Sequence, residues 1–284
     1  MLKRLVDIYQ TLRMPGGIRA IAGPRPHSLA SFRMMRDLQR ENVALRTIVD
    51  LGANVGQFAR AASSAFPMAT IYSVEPNPEV VAVLRSNLAD VSRVHVIPTA
   101  IGDVDGEIEF HCNAQSQASS VLRHRAEDDQ ASGAKSTTHT VVVPIQRLDT
   151  LLADVKLETP ALLKLDLQGY ELAALRGARQ MLQQFDYVIV EAVFEEFYIG
   201  EPHFEDIWEY LRAAGFSMLR PMAYLCDREG AISQTDVLFR RKAARTEAEK
   251  AALDSSRCTQ PHDAAVSCKP RSEVASGPGL VRNY

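Results

Sequence analysis

Residues 47–58 read TIVDLGANVGQF and decide the fold. The run Thr47–Leu51 is short, apolar and rich in β-branched residues, and Gly52 and Gly56 separate it from a helical pattern over 56–66. A strand that passes through a glycine turn into a helix is the opening of a βαβ unit. In an open α/β sheet, ligands bind beyond the carboxyl ends of the strands. The turn is therefore the first candidate for a binding site.

The same alternation of strands and helices continues along the chain. Further strands are predicted at 70–74, 94–97, 161–165, 187–192, 216–219 and 235–240, and further helices at 78–88, 171–183 and 204–214. Helices of this length between strands predict right-handed crossovers and a sheet that is covered on both faces. The sequence therefore predicts an α/β fold with a doubly wound, mostly parallel sheet.

Three segments depart from this alternation. Residues 1–46 are predicted to form a basic helical leader, which includes a helix over 28–42. Residues 107–145 interrupt the main domain, 47–242, with two segments of period-two alternation around a polar stretch, which predicts an inserted excursion of strands and loop. Residues 243–284 hold few apolar groups and no sustained periodicity, so we expect a disordered tail.

Composition excludes several classes of protein. The chain has 284 residues, of which 46% are hydrophobic and 24% charged, as in ordinary globular proteins. No apolar run approaches the ~20 residues that span a bilayer, and no secretory signal is visible at the N-terminus. The four cysteines, at 112, 226, 258 and 268, form no CxxC pair. Neither a zinc site nor a disulfide framework is indicated, which predicts a cytoplasmic protein.

The distribution of charge bears on the partners of the protein. Residues 47–242 carry a net charge of -10, whereas residues 1–46 carry +6. Because an acidic domain repels a phosphate backbone, we expect no nucleic-acid partner. The basic leader is able to lie on an anionic membrane surface, but a helix packed over the domain is the favoured interpretation. Nothing in the sequence indicates an oligomeric state.

Two acidic residues flank the glycine turn. Glu75 lies 25 positions after Asp50, a spacing that places a carboxylate beside the turn to bind two ribose hydroxyls. The turn has the spacing GxxxG rather than the GxGxxG that a dinucleotide pyrophosphate requires. Asp50 suits the ammonium group of a bound amino acid and repels a pyrophosphate. These features favour S-adenosylmethionine (SAM) over a nicotinamide cofactor, so a nicotinamide-dependent oxidoreductase is the alternative enzyme.

Further motifs follow in a fixed order along the chain. They are DLGANVGQF at 50–58, Glu75-Pro76, TAIG at 99–102, SSVL at 119–122, KLDLQGYE at 164–171 with Leu175 and Gly177-Ala178, and Val190-Glu191. On these motifs the sequence resembles the FkbM family of SAM-dependent methyltransferases over roughly residues 47–240. The resemblance implies a Rossmann-like class I methyltransferase fold, SAM as the methyl donor, and a hydroxyl oxygen of a sugar, glycan or natural product as the acceptor. A non-catalytic SAM-binding or scaffold protein is the alternative outside the enzymes.

Eight residues at strand ends are expected to bind the cofactor: Asp50, Gly52, Asn54, Gly56, Glu75, Asn77, Ala100 and Ile101. The first four are expected around the methionine half of SAM, and Glu75 at the ribose hydroxyls. Asn77 is expected in the adenosine pocket, with a helix N-cap before Pro78 as an equal alternative. Ala100 and Ile101 are expected against the adenine ring, with an ordinary loop as the alternative.

Three residues are candidates for the catalytic base. Asp166 and Glu191 end the predicted strands 161–165 and 187–192, so we expect the two carboxylates side by side at one sheet edge. Asp166 is the first choice, and a structural acceptor of loop N–H groups is the alternative for both. His203 precedes a predicted helix, where a surface or capping histidine is the favoured interpretation. Two carboxylates also suit a divalent metal, but no ligand spacing is diagnostic and no metal is predicted.

Overall fold

The structure, a computed structural model, describes residues 11–12, 28–113, 116–125, 137–226 and 230–242. The predicted tail at 243–284 and most of the leader before Ser28 lie outside the described residues. Among the helices that are described, none combines the length and the hydropathy that a bilayer crossing requires.

Ten strands and six α-helices make up the described chain. The strands are β1 (Thr47–Leu51), β2 (Thr70–Val74), β3 (Val94–Ile97), β4 (Ala100–Ile101), β5 (Gly106–Asn113), β6 (Thr137–Gln146), β7 (Ala161–Leu165), β8 (Tyr187–Val193), β9 (Phe216–Cys226) and β10 (Ile232–Arg241). The helices are α1 (Leu29–Gln39), α2 (Gln57–Ala65), α3 (Pro78–Leu88), α4 (Leu148–Leu151), α5 (Glu171–Arg176) and α6 (Phe204–Ala213), with 3₁₀ turns at Ser116–Ala118 and Met181–Gln184.

Seven strands form the central sheet in the order β3-β2-β1-β7-β8-β10-β9. The first five of these are parallel, and β10 runs antiparallel to both of its neighbours. The chain proceeds outward from β1 to β3 and then returns to β7 on the other side of β1. The point where strand order reverses, between β1 and β7, is where ligands bind in such sheets. This topology confirms the predicted α/β fold with a doubly wound, mostly parallel sheet.

The inserted excursion folds as a second, three-stranded sheet in the order β4-β6-β5. β5 and β6 are antiparallel, as the period-two pattern predicts, and β4 joins them by pairing parallel to β6. Ala100 and Ile101 are therefore strand residues, and the ordinary loop considered for them is wrong. Both are buried, together with Phe110, Val143 and Ile145, in a small core of this sheet.

One predicted helix and one predicted strand end at different residues in the structure. The helix expected over 171–183 ends at Arg176, and Gly177 follows as its C-cap. The chain passes so close to Gly102 there that a side chain at position 177 would collide with the Gly102 carbonyl oxygen. β9 extends to Cys226 rather than to Leu219. Pro221 interrupts the sequence pattern there, but an edge strand tolerates a proline because one of its sides needs no ladder hydrogen bonds.

Alternate residues of the strands face opposite sides of the sheet, and each side has its own core. Val49 and Leu163 belong to one buried cluster, and Ile48 and Leu162 belong to the other. The second cluster contains Met35 of α1, whose side chain is fully buried. Helix α1, although it precedes the first strand, therefore packs on the main domain, as the favoured interpretation of the basic leader expects.

A buried carboxyl group holds the turn that follows β7. Glu171, the first residue of α5, accepts a hydrogen bond at Oε1 from the Leu167 N–H at 2.6 Å. Its side chain is buried, and this burial raises the pKa of Glu171 to about 8. The turn is therefore fixed by a group that the native protein keeps protonated at neutral pH.

Glu171→Gln should make the protein more stable in alkaline solution. The Glu171 carboxyl titrates near its ordinary pKa of 4.5 when unfolded and at about 8 when folded, so its contribution to stability declines as pH rises between these values. Glutamine keeps the acceptor oxygen and does not titrate. We expect the difference in melting temperature, variant minus wild type, to increase by several degrees as the pH is raised from 5 to 8.5, measured by circular dichroism. Glu107→Gln, an exposed site on β5, is the control; parallel curves for Glu171→Gln would contradict the prediction.

Candidate functional site

A cavity of about 370 Å³ lies at the switch point between β1 and β7. Its volume falls within the range of about 300–1,000 Å³ that is typical of small-molecule sites. The walls come from the carboxyl ends of the central strands, from the inserted sheet, and from Ser28, Ser31 and Met34 at the start of helix α1. The cavity therefore lies where strand topology predicts a ligand site.

The glycine turn after β1 forms the floor of the cavity. Gly52 has a φ of +80°, and a Cβ there would collide with the carbonyl oxygen of Asp166. Its N–H and that of Ala53 both donate to the Val74 carbonyl oxygen, each at 3.0 Å. Asn54 follows with a φ of +46° and lines the cavity beside Gly52. The close approach of two strand ends therefore requires glycine at position 52.

Glu75 presents a buried carboxylate to the same cavity. Its Oε2 accepts a hydrogen bond from the Asn54 N–H at 2.9 Å, and its Oε1 accepts one from the Asn77 N–H at 3.0 Å. Burial raises the pKa of Glu75 to about 7, although these two hydrogen bonds oppose the shift. Because each carboxylate oxygen has a second lone pair, the fixed carboxylate remains able to accept two hydrogen bonds from a ligand.

Two predicted cofactor residues serve the helices instead of the cavity. The Asn77 side chain accepts a hydrogen bond from the Glu79 N–H at 3.0 Å, and so it is the N-cap of α3, the alternative considered for it. Gly56 is the N-cap of α2 and has a φ of +90°. A Cβ at this position would press against Leu84 and Leu88. Neither residue lines the cavity. Their spacing in the sequence therefore reflects capping and packing.

The inserted sheet supplies an apolar wall. Ala100 and Ile101 of β4 and Phe110 of β5 line the cavity, with Tyr170 beside them. Glu75, at the end of β2, lines the same cavity. A wall with few polar atoms next to a carboxylate suits a nucleoside, whose base is flat and whose ribose carries two hydroxyls.

Lys164 is a buried cation that sequence reasoning missed. Its Nζ lies 3.4 Å from Asp50 Oδ1, 3.1 Å from Asp166 Oδ2 and 5.2 Å from the centre of the Phe58 ring. Burial opposes the charge of Lys164, but the two carboxylates outweigh it and raise the pKa of the ammonium group. The signal for it was a lysine within a buried strand, two positions before Asp166.

Asp50 itself is fully buried and does not line the cavity. Burial raises the pKa of Asp50, and the nearby Lys164 opposes that shift. The predicted direct contact between Asp50 and the ammonium group of SAM is therefore not what the geometry offers. Lys164 lies between Asp50 and the cavity, and it is Lys164 that lines the cavity.

The structure brings Asp166 and Glu191 together, as predicted, although β8 continues to Val193 and so Glu191 lies just before its end. The Gln168 Nε2 donates to Asp166 Oδ1 at 2.9 Å and to Glu191 Oε2 at 2.7 Å, and all three residues line the cavity. Asp236 of β10 lies opposite Glu191 in the sheet register and lines the cavity as well. Burial, followed by the charge of Asp166, raises the pKa of Asp236 to about 7. Asp236 was missed because it lies inside a strand rather than at its end.

His203 does not reach this group of carboxylates. Its side chain is exposed, it is absent from the cavity lining, and its backbone N–H donates to Asp206 Oδ2 at 3.0 Å at the start of α6. The position corrects the predicted catalytic role and agrees with the capping histidine that was the favoured interpretation. In the part of the chain that the structure describes, no group of three or more His, Cys, Asp or Glu side chains is arranged to hold a metal ion.

Comparison with known proteins identifies the family. The model of the methyltransferase FkbM domain matches residues 50–218. The 2-O-methyltransferase NoeI of Sinorhizobium fredii is 28% identical over 160 residues, which cover 54% of this chain and 66% of NoeI. The hexuronic acid methyltransferase AglP of Haloferax volcanii is 27% identical over 176 residues, covering 58% of this chain and 67% of AglP.

A third relative aligns over more of its length. The 31-O-demethyl-FK506 methyltransferase FkbM of Streptomyces tacrolimicus is 26% identical over 242 residues, which cover 75% of this chain and 91% of that protein. The chain thus spans about two thirds of NoeI and AglP and nearly all of FkbM. Because the family match runs from the glycine turn into β9 and takes in more than half of the residues, the chain belongs to the FkbM methyltransferase family.

Proposed function

We propose that this FkbM methyltransferase binds SAM in the cavity and transfers the methyl group to a hydroxyl oxygen of a sugar, glycan or natural product. The observation that carries the proposal is the buried carboxylate of Glu75, which two backbone N–H groups hold toward the cavity. A carboxylate at the end of the second strand, beside a glycine turn, is suited to the two hydroxyls of a ribose.

The residues that line the cavity suit the three parts of SAM, which are its ribose, its adenine and its methionine half. Glu75 would accept hydrogen bonds from the ribose hydroxyls, and Ala100 and Ile101 would pack against the adenine. The turn at Gly52 and Asn54 would hold the methionine half. Asp50 would act through Lys164, whose ammonium it helps to keep charged and in place.

SAM, when bound, would supply an electrophilic methyl carbon, and its transfer to the acceptor oxygen would break the carbon–sulfur bond and leave that electron pair on sulfur. The chain's own residues must hold the acceptor hydroxyl in line with that bond and receive its proton. Positioning alone contributes much of the acceleration of such a reaction. Asp166 and Glu191 both line the cavity, and either carboxylate would take the proton; Asp166 is our first choice.

The relatives support an oxygen acceptor. Two of them are named for methylation at a numbered oxygen, and the third is named for a hexuronic acid. At 26–28% identity they do not fix the acceptor of this chain, and their names differ in the compound that is methylated. A sugar or a hydroxylated natural product is the class that includes all three.

Calorimetric titration with SAM, S-adenosylhomocysteine and NAD⁺ tests the cofactor. We expect SAM and S-adenosylhomocysteine to bind the wild type, and Glu75→Ala to weaken both by about 100-fold or more, since hydrogen bonds to a charged group contribute about 1.5–3 kcal/mol each. Glu79→Ala, an exposed carboxylate four positions away, should bind as the wild type does. Binding of NAD⁺ alone would instead support an oxidoreductase. Cofactor binding with no turnover on any hydroxyl acceptor would support a non-catalytic protein.

SAM affinity should also depend on pH through Glu75. With a pKa of about 7, Glu75 is ionised above neutrality and accepts from both ribose hydroxyls, whereas its protonated form has fewer free lone pairs. We expect the dissociation constant to rise as pH falls from 8 to 6. Glu75→Gln should bind more weakly and with less dependence on pH. A wild-type affinity that stays constant over this range would contradict the role of Glu75.

Asp166→Asn should impair methyl transfer more than cofactor binding. General base catalysis contributes about 100-fold to 10,000-fold, so we expect kcat to fall by at least 100-fold with an acceptor found by screening sugars and hydroxylated natural products. SAM affinity should change only several-fold. Asp154→Asn, at an exposed position on the surface, is the matched control. Full turnover by Asp166→Asn would show that Asp166 is not the base.

A further inference from the structure

Gln168 connects the two candidate base carboxylates, although no role was assigned to it from the sequence. It lies in the turn after β7 with a φ of +53°, in the left-handed region that non-glycine residues seldom adopt. Such a conformation persists where surrounding contacts hold it, and it is concentrated at functional sites. The contacts of its side chain and its backbone show what holds Gln168 there.

The side-chain amide of Gln168 is satisfied by three groups at once. Its Nε2 donates one hydrogen bond to Asp166 Oδ1 at 2.9 Å and one to Glu191 Oε2 at 2.7 Å. Its Oε1 lies 3.0 Å from the Tyr198 hydroxyl, whose one proton is also within reach of the Ala118 carbonyl oxygen at 3.1 Å. Rotation of the amide by 180° would turn Oε1 toward the two carboxylates, which have no proton to donate when they are ionised. The two carboxylates therefore select one orientation of the amide, and the Tyr198 hydroxyl is compatible with it.

The backbone of Gln168 is held from a different part of the chain. Ser120, which follows β5 in the inserted segment, is buried and donates its Oγ proton to the Gln168 carbonyl oxygen at 2.7 Å. Tyr198, also buried, comes from the segment between β8 and α6. Residues from both sides of the cavity thus fix the position from which the amide reaches the carboxylates.

Asp166 and Glu191 are half-buried and meet at one amide group, and two carboxylates so placed favour sharing a proton, because each charge destabilises the other. Burial and then the charge of Asp166 raise the pKa of Glu191 well above its usual range. Hydrogen bonds to the ionised form act in the opposite direction. The other titratable groups that act on Glu191 come from four neighbouring segments: Lys164, Glu171, Tyr198 and Asp236. Among the charged groups of this set, Lys164 alone is a cation.

We propose that Gln168 is a positioning residue for methyl transfer: its amide holds Asp166 and Glu191 in one orientation toward the cavity and, by donating hydrogen bonds to both carboxylates, favours their ionised forms. The proposal rests on the function proposed above, in which one of these carboxylates receives the proton of the acceptor hydroxyl. Gln168 itself takes no proton. Its two amide N–H groups donate hydrogen bonds to the two carboxylates and thereby stabilise the carboxylates in their ionised forms.

Gln168→Met is the principal test. Methionine has about the same length, the same backbone preference and no donor, so the turn keeps its conformation while the two hydrogen bonds disappear. A hydrogen bond to a charged group contributes about 1.5–3 kcal/mol, so the loss of the bond to Glu191 corresponds to a rise of about one to two units in the pH at which Glu191 loses its proton. We expect the acid limb of the kcat/KM profile to move upward by that amount, with a larger loss of rate at pH 6 than at pH 9.

A second measurement does not depend on activity. Carboxylates that bind protons more tightly in the folded protein than in the unfolded chain lose stability as pH rises toward their folded pKa. In Gln168→Met that loss should extend about one to two pH units higher than in the wild type, as seen in melting temperatures between pH 5 and pH 9. Gln180→Met, at an exposed position, should leave both profiles unchanged.

Two further variants separate orientation from space filling. Tyr198→Phe removes the hydroxyl beside the amide oxygen and should move both profiles in the same direction by a smaller amount. Gln168→Glu fills the same space but adds a third carboxyl, and it should move them at least as far as methionine does. A shift in the stability profile without any methyl transfer would retain the role of Gln168 in ionisation and reject the proposed function. Methyl transfer by Gln168→Met that is reduced equally at every pH, with unchanged stability profiles, would overturn the inference.

Discussion

Lys164 is a buried ammonium group between two carboxylates, and the geometry of the cavity depends on it. Removal of one partner from such a group leaves an unpaired buried charge, which destabilises a protein far more than the loss of a surface ion pair does. The register of the sheet places Lys164 directly opposite Asp50, on neighbouring parallel strands. The same register brings the Asp166 carbonyl oxygen against Gly52. The pairing of β1 with β7 therefore determines both the contact between Lys164 and Asp50 and the position of the glycine turn at the floor of the cavity.

Much of the fold could be predicted because buried parallel strands are continuous apolar runs. The bounds of β1, β2, β3 and β7 agree with the sequence pattern residue for residue. β4 has only two residues, too few for any periodicity to show, and its pairing with β6 depends on a segment 45 positions away. Local pattern therefore predicts elements that are long and buried, and it fails where a distant partner creates the element.

The site residues that could be predicted are those whose place in the site follows from their position near the end of a strand. Asp166 and Glu191 meet because the carboxyl ends of neighbouring parallel strands share an edge. Asp236 and Lys164 escaped attention because a charged residue inside a strand carries no local sign of which charges lie beside it. Asn77 resembled a site residue by spacing, yet its side chain completes the hydrogen bonds of a helix end. Chain position thus predicts the edge on which a residue lies, and packing decides whether its side chain faces the ligand.

Helix α1 gives the cavity a wall from a part of the chain that precedes the first strand. Ser28, Ser31 and Met34 line the cavity, while the family match begins only at Asp50. The wall that α1 supplies therefore lies outside the stretch that matches the family, whereas Glu75 lies within it. For an engineer, α1 is a place to change the size and polarity of the cavity without altering Glu75.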